Sequence, residues 1–338
     1  MRTSLIVLTC LFASIFFKGE VKKTDIQKLN LKGNIKSVVE IKYFAKKKRG
    51  KIFKGNISNK VVSYKFNRHK YLKEAISYKH KNSEYKKQIF EYDDNDNIIQ
   101  QANYSSDSLL SYIKIYAYDK KTNRYDKDNN RLSDLTYNSE GFLCGKIVYK
   151  YDDDDNCIEE KKYLFNDSLD YKIVNSYGSD HILEQSLYSN NVDLTYFANS
   201  YKYDENNYLI EKYKQSGFYI FSERLFLKYD KNYNLISKEL YTYDNYLKKR
   251  DFFMYDKNNN KIRYINYNST SDVKSIFIYN YDKNNNLESE ISTYSNGHLK
   301  SKNEYIYDDN NNWIEKREYE EGDKYPIYIV EREIEYYN

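Results

Sequence analysis

Proline is almost missing from this sequence, at one residue in 338, and glycine is sparse at 10. Those two scarcities exclude a collagen-like or Pro/Gly-rich low-complexity chain. Three cysteines are too few for a disulfide-dense scaffold, and neither Cys144 nor Cys157 has metal-ligand spacing. No apolar run reaches the roughly 20 residues of a membrane-crossing helix. Catalytic signatures are also missing: there is no Gly-x-Ser-x-Gly, His-Glu-x-x-His, phosphate loop or Cys-His arrangement. The four histidines, His69, His80, His181 and His298, share no common position. The sequence therefore points to no enzyme and to no cofactor.

Tyrosine takes the place of the missing apolar residues. There are 42 Tyr and 16 Phe, and the mean hydropathy is -0.94. Burial must come largely from rings that carry a hydroxyl and sit half buried, and an aromatic content of 17% opposes disorder. Near the start, Leu5 to Phe17 is an almost wholly apolar run that ends at Lys18-Gly19-Glu20. Its length fits an export signal over residues 1–20, although no small-x-small pair marks a cleavage site. Cys10, after Val7-Leu8-Thr9, offers a lipid anchor as an alternative. Either reading places the protein outside the cytoplasm, secreted or held at the envelope.

A 26-residue period organises the rest. Anchors stand at Tyr92, Tyr125, Tyr151, Tyr177, Tyr203, Tyr229, Tyr255, Tyr281 and Tyr307, with every step equal to 26 from Tyr125 onward. Phe66 heads a degenerate unit, and a seven-residue insertion after Tyr118 resets the phase. Most anchors are followed by Asp and an Asn/Asp-rich loop, and about six residues on by an apolar side chain such as Leu72, Ile98, Leu183, Leu209, Leu235, Leu287 or Trp313. Spacings of two, as in Tyr149-Tyr151 and Tyr279-Tyr281, put both rings on one face of a strand. Turn pieces such as Ser139-Glu140-Gly141 divide each unit into two strands, so the unit is a hairpin. No segment has helical periodicity. A turn at 151–156 sets Cys144 near Tyr163 rather than Cys157, which disfavours a bridge.

The expected fold class is all-β: tandem antiparallel hairpin repeats forming a continuous curled or spiralled sheet. Residues 21–65 read as a basic N-terminal cap hairpin, 66–306 as the repeats, and 307–338, with Trp313 and Pro326, as a unit that caps the exposed edge.

The Tyr-Asp anchor, the polar loop, the Leu that follows and the Tyr-x-Tyr-Asp joints at 149–152, 201–204 and 305–308 resemble the YD repeats of the RHS family over about residues 60–315. The Leu31-Lys32-Gly33 start, the Asn312-Trp313-Ile314 piece and the ending Glu331 to Tyr336 look like secreted YD-repeat proteins of Bacteroidetes-type bacteria. The resemblance implies hairpins that spiral into a sheet and, in large members, wrap into a hollow shell. Here the loop Gly of that family is mostly Asn, and there is no Asp-Pro-bearing self-cleaving core and no toxin-like domain, so toxin delivery is not carried over.

Charge is uneven. Lys18 to Phe90 holds 22 Lys and Arg against 5 Asp and Glu, in a chain whose net charge is only +5, so the remainder is acidic. Lys46, Lys47, Lys48, Arg49, Arg68 and Lys70 are the candidate contacts for an anionic partner. Tyr201, Tyr203, Tyr279, Tyr281, Tyr305 and Tyr307 are candidates for stacking on sugars, against the plainer role of cross-strand packing. Asp152, Asp154 and Asn156 alternate like the start of a calcium loop, but the glycine at position six and the acid at position twelve are missing. The functional expectation is a noncatalytic extracytoplasmic scaffold or adhesion-like protein contacting a partner protein or the envelope. The alternative is a glycan-binding module using the sheet tyrosines and the basic N-terminal head, and the possible partners are a protein, the envelope or an acidic glycan. Nucleic acid fits poorly with export, and Lys and Glu alternating along strands, as in Lys300, Lys302 and Glu304, argue against a transmembrane barrel.

Overall fold

The computed structural model describes residues 24–79, 83–105, 109–116, 130–190, 195–216 and 222–338. The leader with Cys10, the joint at Tyr118 and the insertion after it lie outside the described residues. One helix, α1 (Asp25–Lys28), precedes the strands. These are β1 (Ile35–Lys48), β2 (Lys51–Phe66), β3 (Leu72–Lys79), β4 (Ser83–Tyr92), β5 (Ile98–Tyr104), β6 (Leu110–Tyr116), β7 (Ser133–Asn138) and β8 (Leu143–Tyr151). Next come β9 (Cys157–Leu164), β10 (Leu169–Tyr177), β11 (Leu183–Asn190), β12 (Thr195–Tyr203), β13 (Leu209–Ser216), β14 (Glu223–Tyr229) and β15 (Leu235–Thr242). The last are β16 (Leu247–Tyr255), β17 (Lys261–Tyr267), β18 (Val273–Tyr281), β19 (Leu287–Thr293), β20 (Leu299–Tyr307), β21 (Trp313–Glu320) and β22 (Tyr328–Tyr336).

Each strand pairs antiparallel with the next, and β1 also pairs with β22 from Ile35↔Tyr336 to Phe44↔Tyr328. An up-and-down meander can close this way only with an even number of strands, and this one has 22. Closure corrects three expectations. The sheet is a closed barrel and not an open curled or spiralled sheet. The YD-type units are not a tandem array with capped ends, because the strand expected to cap an edge completes the ring instead. The exclusion of a transmembrane barrel is also overturned. It rested on charge alternating along strands such as Lys300–Glu304, and that alternation describes one face of a strand while carrying no information about closure.

With strands about 4.8 Å apart and tilted, a circular ring of this size is roughly 35–45 Å across, too wide for side chains to fill from the walls. The wall is accordingly a single layer. Only ten apolar side chains are fully buried among the described residues, and five of them, Ile26, Leu31, Ile35, Val38 and Phe66, form one cluster beside the β1–β22 seam.

A repeated hydrogen-bond pattern does the work that a dense core does elsewhere. Between the two strands of a hairpin the backbone ladder ends three residues before the anchor tyrosine, as at Ser200↔Gln185 before Tyr203 and Phe226↔Glu211 before Tyr229. The anchor hydroxyl then donates to the carbonyl twenty residues back. The pairs are Tyr92–Leu72, Tyr151–Arg131, Tyr177–Cys157, Tyr203–Leu183, Tyr229–Leu209, Tyr255–Leu235, Tyr281–Lys261 and Tyr307–Leu287, at 2.7–3.0 Å. The anchor's own backbone pairs across a bulge with the residue six positions on, as at Tyr229↔Leu235 and Tyr307↔Trp313. Each anchor thus joins three strands, which explains both conserved spacings within the repeat.

Glutamates add a second clamp. Glu74 on β3 lies between Lys65 of β2 (2.8 Å) and Lys87 of β4 (2.9 Å), and Glu211 on β13 between Lys202 of β12 (3.2 Å) and Arg224 of β14 (3.3 Å). Burial pulls the Glu74 carboxyl up, but the two lysines outweigh it and hold it below the usual range. Cys144 and Cys157 are both free, and Gly145 opposes Leu164, so the register places Cys144 close to where the sequence put it.

Candidate functional site: a seam and two unlike rims

The barrel has one rim of Asp-led loops and one rim of hairpin turns. In the Asp loops, the first Asp accepts from the backbone N–H groups two and four residues later. Asp230 does this for Asn232 (2.8 Å) and Asn234 (3.0 Å), and Asp282 for Asn284 and Asn286 (both 2.8 Å). The fourth loop residue then takes a positive φ, as at Asn259 (63°), Asn285 (61°) and Asn311 (60°), a conformation Asn tolerates. Neighbouring loops are tied by side-chain amides, with Asn234 donating to Asn259 (2.8 Å), Asn260 to Asn285 (3.0 Å) and Asn286 to Asn311 (2.7 Å). The Asn234 side-chain amide, with its backbone N–H, holds Asp230 below the usual carboxylate range, and the Asn286 backbone N–H does the same for Asp282. These oxygens are committed to the loop. The suggested calcium trio follows the same rule, since Asp152 accepts from the N–H groups of Asp154 (3.0 Å) and Asn156 (2.9 Å). No cluster of three potential ligands for a metal is gathered among the described residues.

At the seam the ladder has no next loop, and the N-terminal lead-in supplies the rung. Asn312, 1% exposed, accepts from the Lys32 N–H (2.8 Å) and donates to the Lys32 carbonyl and the Tyr336 hydroxyl (2.9 Å each). Tyr336 donates onward to Asp308 (2.7 Å), and Lys32 Nζ reaches Asn286 (3.1 Å). On the other side Asp25 accepts from the Leu72 N–H (2.8 Å), the Ile26 N–H reaches the Lys70 carbonyl (3.3 Å), and the Tyr337 hydroxyl donates to the Phe66 carbonyl (2.7 Å). Arg332 pairs with Glu40 (2.6 Å) and lies 3.5 Å over the Trp313 ring. The helix that begins this clasp was missed by periodicity, being only one turn long. A signal was present, since Thr24 and Gln27 form a capping box.

The six basic candidates do not form one site. Lys46, Lys47, Lys48 and Arg49 stand at the β1–β2 tip on the turn rim, whereas Arg68 and Lys70 belong to the β2–β3 loop on the Asp rim. The 16 residues of β2 separate the two groups by about 50 Å. Lys47 lies 3.5 Å over Tyr325, and Arg68 lies 5.1 Å over Tyr337. Beside the tip is an open cleft of about 480 Å³ between Phe44–Lys47 and Asp323–Tyr328.

The six candidate tyrosines share a structural environment. Tyr203, Tyr281 and Tyr307 are anchors whose hydroxyls are committed to carbonyls. Tyr305 meets Trp313 edge-on with centroids 6.3 Å apart, and Lys261 lies 4.7 Å over Tyr279. Burial pushes the Tyr203, Tyr279, Tyr305 and Tyr307 phenols up to about 12 and raises Tyr201 and Tyr281 as well.

No family model matches the chain. No curated protein matches it either. Among solved structures it overlaps the TcdB2-TccC3-TEV structure with a TM-score of 0.44 and 11% identity, covering 79% of this chain and 15% of that one. A second overlap, with TcdB2-TccC3-Cdc42, has a TM-score of 0.34 and 9% identity and covers 80% of this chain and 19% of that one. A porin-like protein from Bacteroides uniformis ATCC 8492 overlaps with a TM-score of 0.32 and 9% identity, over 89% of this chain and 98% of that one. The chain thus spans less than a fifth of the two TcdB2-TccC3 chains.

Proposed function

We propose that this protein is a noncatalytic extracytoplasmic barrel scaffold, adhesion-like in character, whose rims contact a partner protein or the cell envelope. One observation carries the reading: the repeated polar groups are consumed by the wall itself. Anchor hydroxyls cap carbonyls, loop carboxylates hold backbone amides, and strand glutamates sit between cations. The chemistry left over is at the rims and the seam, where a scaffold makes contacts. The glycan-stacking alternative has less support, because the hydroxyls of Tyr203, Tyr281 and Tyr307 are bonded to carbonyls and the rings of Tyr201, Tyr279 and Tyr305 meet Lys212, Lys261 and Trp313.

The test is location first and contact second. Fractionation of the cell that makes the protein should place the chain outside the cytoplasm, and crosslinking from cysteines placed at either rim should capture a discrete neighbour. A cytoplasmic protein with no neighbour at either rim would refute the reading.

A further inference from the structure

The turn rim differs from the Asp rim in a way that its fold does not require. Hairpin tips ordinarily carry Gly, Asn, Asp or Ser. On three consecutive hairpins, about 10 Å apart around the ring, the tips instead expose Leu109 (64%), Phe142 (65%) and Phe165 (73%), with Leu164 beside them at 39%. Turn geometry uses none of these side chains. In the β7–β8 turn, the Asn138 side chain accepts from the N–H groups of Glu140 (3.0 Å) and Phe142 (2.9 Å), and the Phe142 carbonyl accepts from the Asn138 N–H (3.0 Å), so Phe142 contributes only backbone groups. Tyr246, 71% exposed, repeats the Phe142 position in the β15–β16 turn.

The β1–β2 tip on the same rim adds charge. From Phe44 to Asn56 there are six cations and no acid. Lys54 pairs with Glu331 (2.7 Å) and Lys47 covers Tyr325, but Lys46, Lys48, Arg49 and Lys51 have no carboxylate partner among the described residues. Phe53 stands among them, 48% exposed. Among the described residues the turns of this rim hold Glu140, Asp167, Asp244, Asp272, Glu321 and Asp323, the last two in the β21–β22 turn next to the tip. The Asp-led loops, with runs such as Asp152 to Asp155, are at the other rim. A negatively charged surface would therefore meet this rim first and repel the opposite one.

We infer that the turn rim docks on an anionic lipid surface, with Lys46, Lys48, Arg49 and Lys51 at the headgroups and Leu109, Phe142 and Phe165 entering the interface. The pairing of both features is what stable adsorption requires, since apolar insertion or charge attraction alone is marginal. This inference rests on the envelope reading above and names its partner.

The full chain is floated with vesicles of phosphatidylcholine alone and of phosphatidylcholine with roughly one-third phosphatidylglycerol. Strong binding only to the anionic vesicles, weakened by salt, is expected. Replacing Lys48, Arg49 and Lys51 by Ala should weaken that binding about a hundredfold, at about fivefold for each cation. Replacing Leu109, Phe142 and Phe165 by Ser should weaken it tenfold or more while keeping the preference for anionic lipid. Both variants change exposed tips, and matched denaturation curves confirm that they fold. Equal binding by variants and parent, equal binding to neutral vesicles, or equal capture by soluble polygalacturonate would each overturn the inference. A protein that fractionates to the envelope yet ignores the vesicles refutes only this inference. A cytoplasmic protein refutes the reading beneath it.

Discussion

Replacing an anchor tyrosine by phenylalanine tests the physical basis of the wall. The ring, its burial and the backbone register all survive, and one atom is lost. In Tyr229→Phe that atom is the donor to the Leu209 carbonyl at 3.0 Å, two residues beyond the last backbone rung of the hairpin. A half-buried carbonyl that loses its partner costs about 1 kcal/mol, as a typical net hydrogen bond does. For a chain this long a urea slope of at least about 3 kcal/mol/M gives a midpoint shift of about 0.3 M per site. Tyr203→Phe with Tyr281→Phe, three units apart, should sum to about 2 kcal/mol. Tyr229→Phe with Tyr255→Phe should not simply add, because Leu235 pairs with Tyr229 through its backbone and accepts from Tyr255 through its carbonyl. Tyr246→Phe, at an exposed tip, is the control and should change nothing measurable. Equilibrium urea unfolding followed by tyrosine fluorescence and circular dichroism reads all of these variants. Anchor variants indistinguishable from Tyr246→Phe would refute the claim that the hydroxyls hold the wall.

Other consequences follow from the same geometry. Unfolded phenols ionise near 10, while burial pushes Tyr177 and Tyr203 up to about 12, so the folded state keeps these protons longer. Their contribution is full below pH 10 and is lost as pH rises toward 12, and phenolate absorbance should lag in folded protein and rise with unfolding. Burial raises the Cys157 thiol to about 11, whereas Cys144 is exposed, so iodoacetamide near neutral pH should label Cys144 first and Cys157 only on unfolding. Asn312→Ala leaves the Lys32 N–H and carbonyl without partners and should cost about 3 kcal/mol, with faster hydrogen exchange confined to the lead-in and β22. Uniform exchange across the ring would show that the seam is not the weak point.

Legibility in the sequence followed the range of the interaction. The hairpins, their turns, the Asp loops and the absence of a bridge between Cys144 and Cys157 depend on contacts within about one unit, and the 26-residue period displays them nine times over. The role of the anchor was only half visible. Spacing showed that Tyr229 and Leu235 matter, but the bond from Tyr229 back to Leu209 spans a hairpin and leaves no mark beyond the period itself. The basic residues were misleading for a related reason: nearness in sequence groups Arg49 with Arg68, and the extended β2 between them sends the two to opposite rims.

By itself, then, the sequence determined an all-β chain of short hairpins with polar loops, because Asx chemistry, turn residues and strand alternation act over a few residues and repeat. Closure was decided only in the tertiary structure. It depends on the twist and tilt accumulated over 22 strands, and it is consummated by residues about 300 apart, Ile35 to Phe44 against Tyr328 to Tyr336. Of the groups that lock it, Lys32 and Tyr336 stand outside the repeat and Asn312 fills a loop position like that of Asn286, so no periodicity could announce that one end of the chain was shaped to receive the other.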